Sequence, residues 1–280
     1  VYPAAGHTRF AHSLGVSFLA GKLVEKLSHQ VSPPLHITER EILCVKLAGL
    51  CHDLGHGPLS HTFEKFVRMR RPHLKWRHEH ASAALFAKVV RDPKVAAVFG
   101  RYHLTSDDVH FVQELIFGDR SDAPSDWQWR GLPPSKHFLF EIVSNHRNGI
   151  DVDKFDYLAR DCYYCGVQAS CDFKRVMPFV RVIDDTICFK ASEIWNIYEI
   201  FHTRASLHRR VYTHKVAKAI EYMIVDAMVE ANNEFEILKK CQSPKTFIEL
   251  DDSILKRIEF ADPADDNAGL RKAKSIVDRI

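Results

Sequence analysis

Along this 280-residue chain the apolar positions recur mainly at the three-to-four-residue spacing of helices that face a core. The clearest run begins at Thr38-Glu39-Arg40-Glu41, a capping box. Ile42, Leu43, Val45, Leu47 and Leu50 follow at helical spacing, and Gly55 and Gly57-Pro58 stop the helix. Upstream, a helix entered at Thr8-Arg9 carries Phe10, Leu14, Phe18, Leu19, Leu23 and Leu27, expected together on one apolar face, before Pro33-Pro34 breaks the chain. Downstream come an amphipathic piece with Phe63 and Phe66, and a helix opened by Trp76-Arg77-His78-Glu79-His80 with Ala81, Leu85, Phe86 and Val89. An apolar helix over 138–145, closed by Asn148-Gly149, and another over 150–161 follow. Residues 193–232 predict one long helix or a closely kinked pair, with Ile197, Ile200, Phe201, Val216, Ile220 and Ile224 as its core side. Residues 119–134, with Trp127 and Trp129, read as a surface loop. Only 179–190 has strand character, a short hairpin around Asp184-Asp185. The fold class is therefore all-α with at most that hairpin. Beyond Pro244 a single amphipathic segment (Ile254, Leu255, Ile258) and a polar stretch over 262–267 are expected.

Composition narrows the picture without naming a chemistry. With 46% hydrophobic and 27% charged residues the chain can bury a core, and its length allows one large domain or two. A net charge of +3 gives no global field for nucleic acid, and Arg68-Met69-Arg70-Arg71 reads as a solvated face. Seven cysteines without regular spacing make no disulfide framework and favour the nucleus or cytoplasm; Cys162 and Cys165 read as free thiols near a surface. No apolar run reaches the roughly 18 residues of a membrane span. The chain opens at Val1 almost directly on a motif, as expected for a piece of a longer protein.

Histidine changes the picture, since 17 residues of this type are far above ordinary usage. Three of them, with an aspartate, fall within His52-Asp53-Leu54-Gly55-His56-Gly57-Pro58-Leu59-Ser60-His61. Neighbours such as His52 and Asp53 point about 100° apart in a helix, so they meet on one ion only from near its end. Together with His12 and Asp153 they make an N/O donor set suited to zinc, iron, manganese or magnesium. His56 and His78 are candidates for proton transfer, and Arg9, Lys154 and Arg204 for holding phosphate charge. In a helix Lys154, Tyr157 and Asp161 fall within about 60°, with Asp153 at their rim. Arg204, His208, Tyr212 and Lys215 fall within about 80°. Metal-assisted phosphoester hydrolysis follows from these residue types.

His12, His52-Asp53 and Asp153 also match the H…HD…D pattern of the HD superfamily. The stretches His7-Thr8-Arg9-Phe10-Ala11-His12-Ser13-Leu14-Gly15-Val16, Gly49-Leu50-Cys51-His52-Asp53-Leu54-Gly55-His56-Gly57-Pro58, Asn148-Gly149-Ile150-Asp151-Val152-Asp153-Lys154 and Phe201-His202-Thr203-Arg204 through Lys215 resemble the animal SAM- and HD-domain deoxynucleoside triphosphate triphosphohydrolases, over residues 1–235. The resemblance implies an all-α HD domain over 1–235, with 236–280 the start of a C-terminal region. It implies conversion of a dNTP into deoxynucleoside and inorganic triphosphate. His12, His52, Asp53 and Asp153 would bind a divalent metal. His56 and His78 would move protons and stabilise phosphate, with Glu64 where the family has an aspartate, and His61 would line the pocket. Arg9, Lys154 and Arg204 would hold the triphosphate, with His208 in the same substrate set. Tyr157 and Asp161 would sit at the sugar, Asp161 at its 3′-hydroxyl, and Tyr212 would pack where a 2′-hydroxyl would clash. GTP and dNTP would activate at sites between subunits, the second of them matched by Tyr2, Asp172, Arg175, Asn196, His214 and Lys215. A homo-oligomer, dimer or tetramer, is implied.

This sequence departs from the pattern at Ala11, Glu64, Ser192 (where a basic residue is expected) and Ile183 (where one of a redox cysteine pair is expected, leaving Cys188 alone). Two alternatives stay open: another HD-type nucleotide phosphohydrolase, or a catalytically weak relative that binds single-stranded nucleic acid or a protein partner.

Overall fold

The two helices that carry the histidine motifs both start from a side-chain cap. Thr8 accepts a hydrogen bond from the Ala11 amide at the head of α1 (Arg9–Ser28). Thr38 and Glu41 form the reciprocal capping box of α2 (Glu39–Cys51). The helices cross closely because Gly49 offers no side chain: a Cβ there would stand 3.2 Å from both the Val16 carbonyl oxygen and the Ala20 methyl. This chemistry decides which face of α1 is buried. Val16, Ala20, Leu23, Val24 and Leu27 go inward. The expected face does not hold together, since Phe10, Leu14 and Phe18 are 71%, 49% and 61% exposed. A close crossing admits the smaller side chains, and the bulky stripe is turned outward.

The computed structural model describes residues 2–74, 76–118, 123–130, 134–170, 172–262 and 267–280. After α2 come α3 (His61–Arg70), α4 (His78–Val90), α5 (Pro93–Arg101), α6 (Ser106–Phe117), α7 (Phe140–Val143), α8 (Val152–Cys165) and α9 (Phe173–Val176). A hairpin of β1 (Arg181–Ile183) and β2 (Thr186–Cys188) follows, antiparallel with Val182 opposite Ile187, and Asp184 and Asp185 turn it with positive φ. Next are α10 (Ile194–Leu207), a π-helical turn over His208–Tyr212 and α11 (Lys215–Phe235). The chain closes with α12 (Ile237–Lys240), α13 (Pro244–Phe247), α14 (Ile254–Glu259) and α15 (Ala268–Val277). The mainly helical class with one hairpin is as the sequence predicts. Among the described residues no helix is long and apolar enough to cross a membrane.

Two apolar clusters hold the helices. The larger joins α1, α2, α6, α7 and α8 through residues such as Val24, Val45, Leu115, Ile142 and Leu158, with Val182 and Ile187 of the hairpin. The second joins α3 and α11 to the last helices through Phe63, Phe66, Met228, Ile237, Phe247, Ile254, Ile258 and Ala273. Among the described residues the tail thus forms four helices that pack with α3 and α11, where the sequence suggested one segment. Its apolar residues come in pieces too short to show a period.

Other expectations change in detail. Over the apolar stretch 138–145 the first two residues end a 3₁₀ turn, and only four residues form α7. Phe201, Val216 and Val89 are exposed. Cys162 is buried rather than near the surface. In the expected surface loop, residues 119–122 and 131–133 lie outside the described residues. Trp127 and Trp129 pack on the larger cluster, the Trp127 ring 4.9 Å from that of Phe117.

Because Phe66 is fully buried in the second cluster, Phe66→Ala should lower unfolding free energy by about 3–5 kcal/mol in chemical denaturation. A loss below about 1 kcal/mol would show that the cluster does not bear on stability.

Candidate functional site

The site is built from helix ends. Arg9, His61 and His78 are the first residues of α1, α3 and α4, and Asp153 is the second of α8. His52 and Asp53 leave the C-terminal end of α2. Gly55 lets this turn touch α4, since a Cβ there would overlap backbone atoms of His78 and Ser82, and its amide donates to Ser82 Oγ at 2.8 Å.

Three donors converge. His12 Nε2 lies 3.0 Å from Asp153 Oδ1, and His52 Nε2 lies 3.4 Å from the same oxygen. Both rings are oriented from behind: His12 Nδ1 donates to Asp156 Oδ2 at 2.7 Å, and His52 Nδ1 donates to the Gly49 carbonyl at 2.8 Å. Each ring therefore presents an unprotonated Nε2 when neutral, the usual backing of a histidine that ligates a metal. His52 Nε2 is buried and has no hydrogen-bond partner. A divalent ion fits that orphaned nitrogen and the two neighbours that face it. Asp53 joins from the side, Oδ1 at 3.4 Å from His52 Nε2 and Oδ2 at 3.6 Å from His12 Nε2, while Arg9 Nη1 holds Oδ2.

A second group overlaps the first through Asp53. His56 Nε2 lies 3.4 Å from Asp53 Oδ1, and its ring stacks on that of His78 at 4.0 Å. His78 Nδ1 lies 2.7 Å from Glu64 Oε1, and His61 Nδ1 lies 3.5 Å from Glu64 Oε2. His61 is the exposed member. The stacked rings are shifted in opposite directions. Burial lowers His56 to about 4, and the Asp53 carboxylate does not offset it. Burial also opposes charge on His78, yet Glu64 outweighs it and raises that ring. Burial tends to raise Glu64 and Asp53, but the paired histidines, with Arg9 at Asp53, hold both below the ordinary carboxylate range.

The predicted substrate residues line α8 and the turn after α10. Lys154 Nζ is 3.2 Å from Asp151 Oδ2, and Asp151 Oδ1 caps α8. Tyr157 is hydrogen-bonded to Arg204, and burial pushes its hydroxyl up to about 12. Asp161 accepts from the Tyr212 hydroxyl on Oδ2 and pairs with His7 Nε2 at 2.7 Å on Oδ1, and the His208 ring meets Tyr212 edge-on. The six residues read as a regulatory nucleotide site fall into local groups. The Tyr2 hydroxyl donates to the Arg210 carbonyl. Arg175 and Asn196 converge on buried Glu193, Asp172 caps α9, and His214 caps α11 beside Lys215.

Sequence reasoning missed four participants. Asp156, three residues after Asp153, had a helical-spacing signal. His7, Ser60 and Gly15 had none. A Cβ at Gly15 would overlap Asp156 and Arg160, so glycine keeps room for the carboxylate that backs His12.

A helical scaffold that brings a histidine from one helix, a His-Asp pair from the end of the next and a distant aspartate to one point defines the HD class. The sequence profile of the HD domain matches residues 9–161, and the chain belongs to that family. It is 45% identical over 280 residues to the deoxynucleoside triphosphate triphosphohydrolase SAMHD1 homolog of Dictyostelium discoideum, covering 100% of this chain and 50% of that protein. It is 48% identical over 245 residues to deoxynucleoside triphosphate triphosphohydrolase SAMHD1 of Homo sapiens, covering 85% of this chain and 39% of that protein. The chain spans about half the length of the curated relatives it matches.

In the metal-free protein burial is outweighed by Asp153, Asp156 and Asp53 at His12, and by Asp53 and Asp153 at His52, so both are raised to about 9. A ring that ligates a metal must give up that proton, so metal binding should release protons and weaken steadily as pH falls from about 9 toward 6.5. Calorimetric titration in buffers of different ionisation enthalpy reads the release. Binding without proton release would remove His12 and His52 from the ligand set.

Proposed function

We propose that this chain is a metal-dependent triphosphohydrolase that converts a dNTP into deoxynucleoside and inorganic triphosphate. The observation that carries this reading is the gathering of Arg9, His61 and His78 at helix starts beside the three donors around the orphaned His52 nitrogen. The two relatives named above carry that activity in their names. A site for a monophosphate would not need Arg9, Lys154 and Arg204 together, which argues against a nucleoside monophosphate substrate.

His12, His52, Asp53 and Asp153 would hold a zinc, iron, manganese or magnesium ion, which supplies Lewis-acid polarisation of a phosphoryl oxygen when bound. Arg9, Lys154 and Arg204 take the charge of the phosphate tail and orient it. Water attacks the α-phosphorus and gives up a proton to a non-bridging phosphate oxygen, and the bond to the 5′-oxygen breaks. His78, whose proton affinity Glu64 raises, gives its Nε2 proton to that leaving oxygen and is reprotonated from solvent. His56, kept neutral by burial, stacks on His78 and holds its ring in place, and His61 lines the open side. Tyr157 and Asp161 receive the sugar, and Tyr212, tied to Asp161, fills the space a 2′-hydroxyl would need. The reading extends to activation by GTP and dNTP at a site of Tyr2, Asp172, Arg175, Asn196, His214 and Lys215, to a homo-oligomer, and to the nucleus or cytoplasm. Single-stranded nucleic acid is a secondary partner of this reading.

Fed dGTP, the metal-loaded enzyme should yield deoxyguanosine and triphosphate by chromatography, and His52→Ala/Asp53→Ala should lose both metal and turnover. Orthophosphate or pyrophosphate as the first product would overturn the assignment. Tyr212→Ala should raise turnover of GTP relative to dGTP by at least about tenfold. An unchanged ratio would place sugar discrimination elsewhere.

A further inference from the structure

Between the His52-Asp53 pair and α3 the chain makes an unusual turn. Leu59 and Ser60, neither of them glycine, have φ values of 58° and 59°, and Ser60 has ψ of −119°. Consecutive non-glycine residues in this region persist only where the surroundings hold them. Four contacts do so. Leu59 donates its amide to Asp252 Oδ1 at 2.7 Å, from the turn that leads into α14. Ser60 donates its own amide to the Gly57 carbonyl at 2.9 Å. Ser60 Oγ accepts from Arg9 Nη2 at 2.7 Å and lies 3.1 Å from His56 Nδ1.

The direction of these bonds follows from their ends. Arg9 can only donate, so Ser60 Oγ accepts from it. His56 Nε2 faces the Asp53 carboxylate, so the proton of the neutral ring sits on Nε2. Nδ1 is then the acceptor, and the Ser60 hydroxyl donates to it. One hydroxyl thus fixes the reach of a phosphate-holding guanidinium and the tautomer of a site histidine. It holds that place only while the backbone stays in its left-handed turn. Asp252 stands on a segment anchored through Ile254 and Ile258 in the second apolar cluster.

We infer that Ser60 and Asp252 are positioning residues, a brace through which the C-terminal helices set Arg9 and His56. The inference rests on the proposed triphosphohydrolase reaction for its kinetic consequence, though not for the brace itself. Leu59→Ala or other side-chain changes at that position leave the amide in place, so the informative variants are at 60 and 252.

The test uses metal-loaded enzyme carrying Ser60→Ala, Ser60→Gly, Asp252→Ala, Asp252→Asn or Ser60→Ala/Asp252→Ala. Each is followed by kcat and KM for dGTP, and by amide exchange over residues 57–62 without nucleotide. Asp252→Ala should lower kcat about three- to tenfold, the worth of one ordinary solvent-accessible hydrogen bond, and speed exchange over 57–62. Asp252→Asn, whose amide oxygen can accept the same bond, should recover most of both. Ser60→Gly accommodates the backbone but lacks the hydroxyl, so it should lose as much kcat as Ser60→Ala. The double variant should be no slower than Ser60→Ala alone, because Asp252 acts only by placing that hydroxyl. Wild-type kcat in Asp252→Ala, or losses that multiply in the double variant, would overturn the inference. If the unmutated enzyme turns over no dNTP, the reaction reading falls, and exchange still decides the brace: faster exchange in Asp252→Ala supports it and unchanged exchange overturns it.

Discussion

One buried carboxylate, Asp53, is the constraint around which the rest of this protein is arranged. It is only 7% exposed, and an ionised carboxylate taken from water at that depth must find compensation. Oδ2 meets Arg9 and His12, and Oδ1 meets His52 and His56. Those four partners come from the head of α1, the end of α2 and the turn that follows. Satisfying one acid therefore locks the relative position of two helices and a loop. The same arrangement leaves His52 Nε2 facing carboxylate oxygens without a hydrogen bond, a tension that a divalent cation would relieve.

The close crossing of α1 and α2 follows from this demand. Gly49 and the small inner face of α1 bring the helices near enough for His12 to reach the His52-Asp53 pair. Behind them, Asp156 and the Gly49 carbonyl hold the two rings by their far nitrogens, and Arg160 in turn holds both oxygens of Asp156 at 2.8 Å. The consequence for the surface is direct. Phe10, Leu14 and Phe18 are displaced outward because the helix has only one face to give, and that face is committed to the crossing.

A parallel economy governs the histidines that are not aimed at the three-donor centre. His56 and His78 are stacked and similarly enclosed, yet their neighbours push them in opposite directions. Burial prevails at His56, while Glu64 prevails at His78. Two identical side chains in contact are thereby pushed apart in proton affinity, a division suited to acid-base chemistry. Glu64 serves two of these rings at once, reaching His78 at 2.7 Å and His61 at 3.5 Å.

Much of this was written locally. The capping box at Thr38, the glycine and proline stop after His52, the hairpin turn at Asp184-Asp185 and the mainly helical class all rest on short-range rules, and each is seen in the structure. The donor residues His12, His52 and Asp153 were legible because their side-chain chemistry is scarce and their helical positions follow from capping and period. Tertiary structure alone decided the rest. Which stripe of α1 is buried depends on what α2 can accept. The π-helical turn at His208–Tyr212 sets the phase of Arg204 against Tyr212. His7, Asp156 and Ser60 reach their partners at Asp161, His12 and Arg9 across 154, 144 and 51 residues of chain. The period of a segment reports how many of its positions face inward, but the partner each one meets is set by packing between segments far apart in sequence.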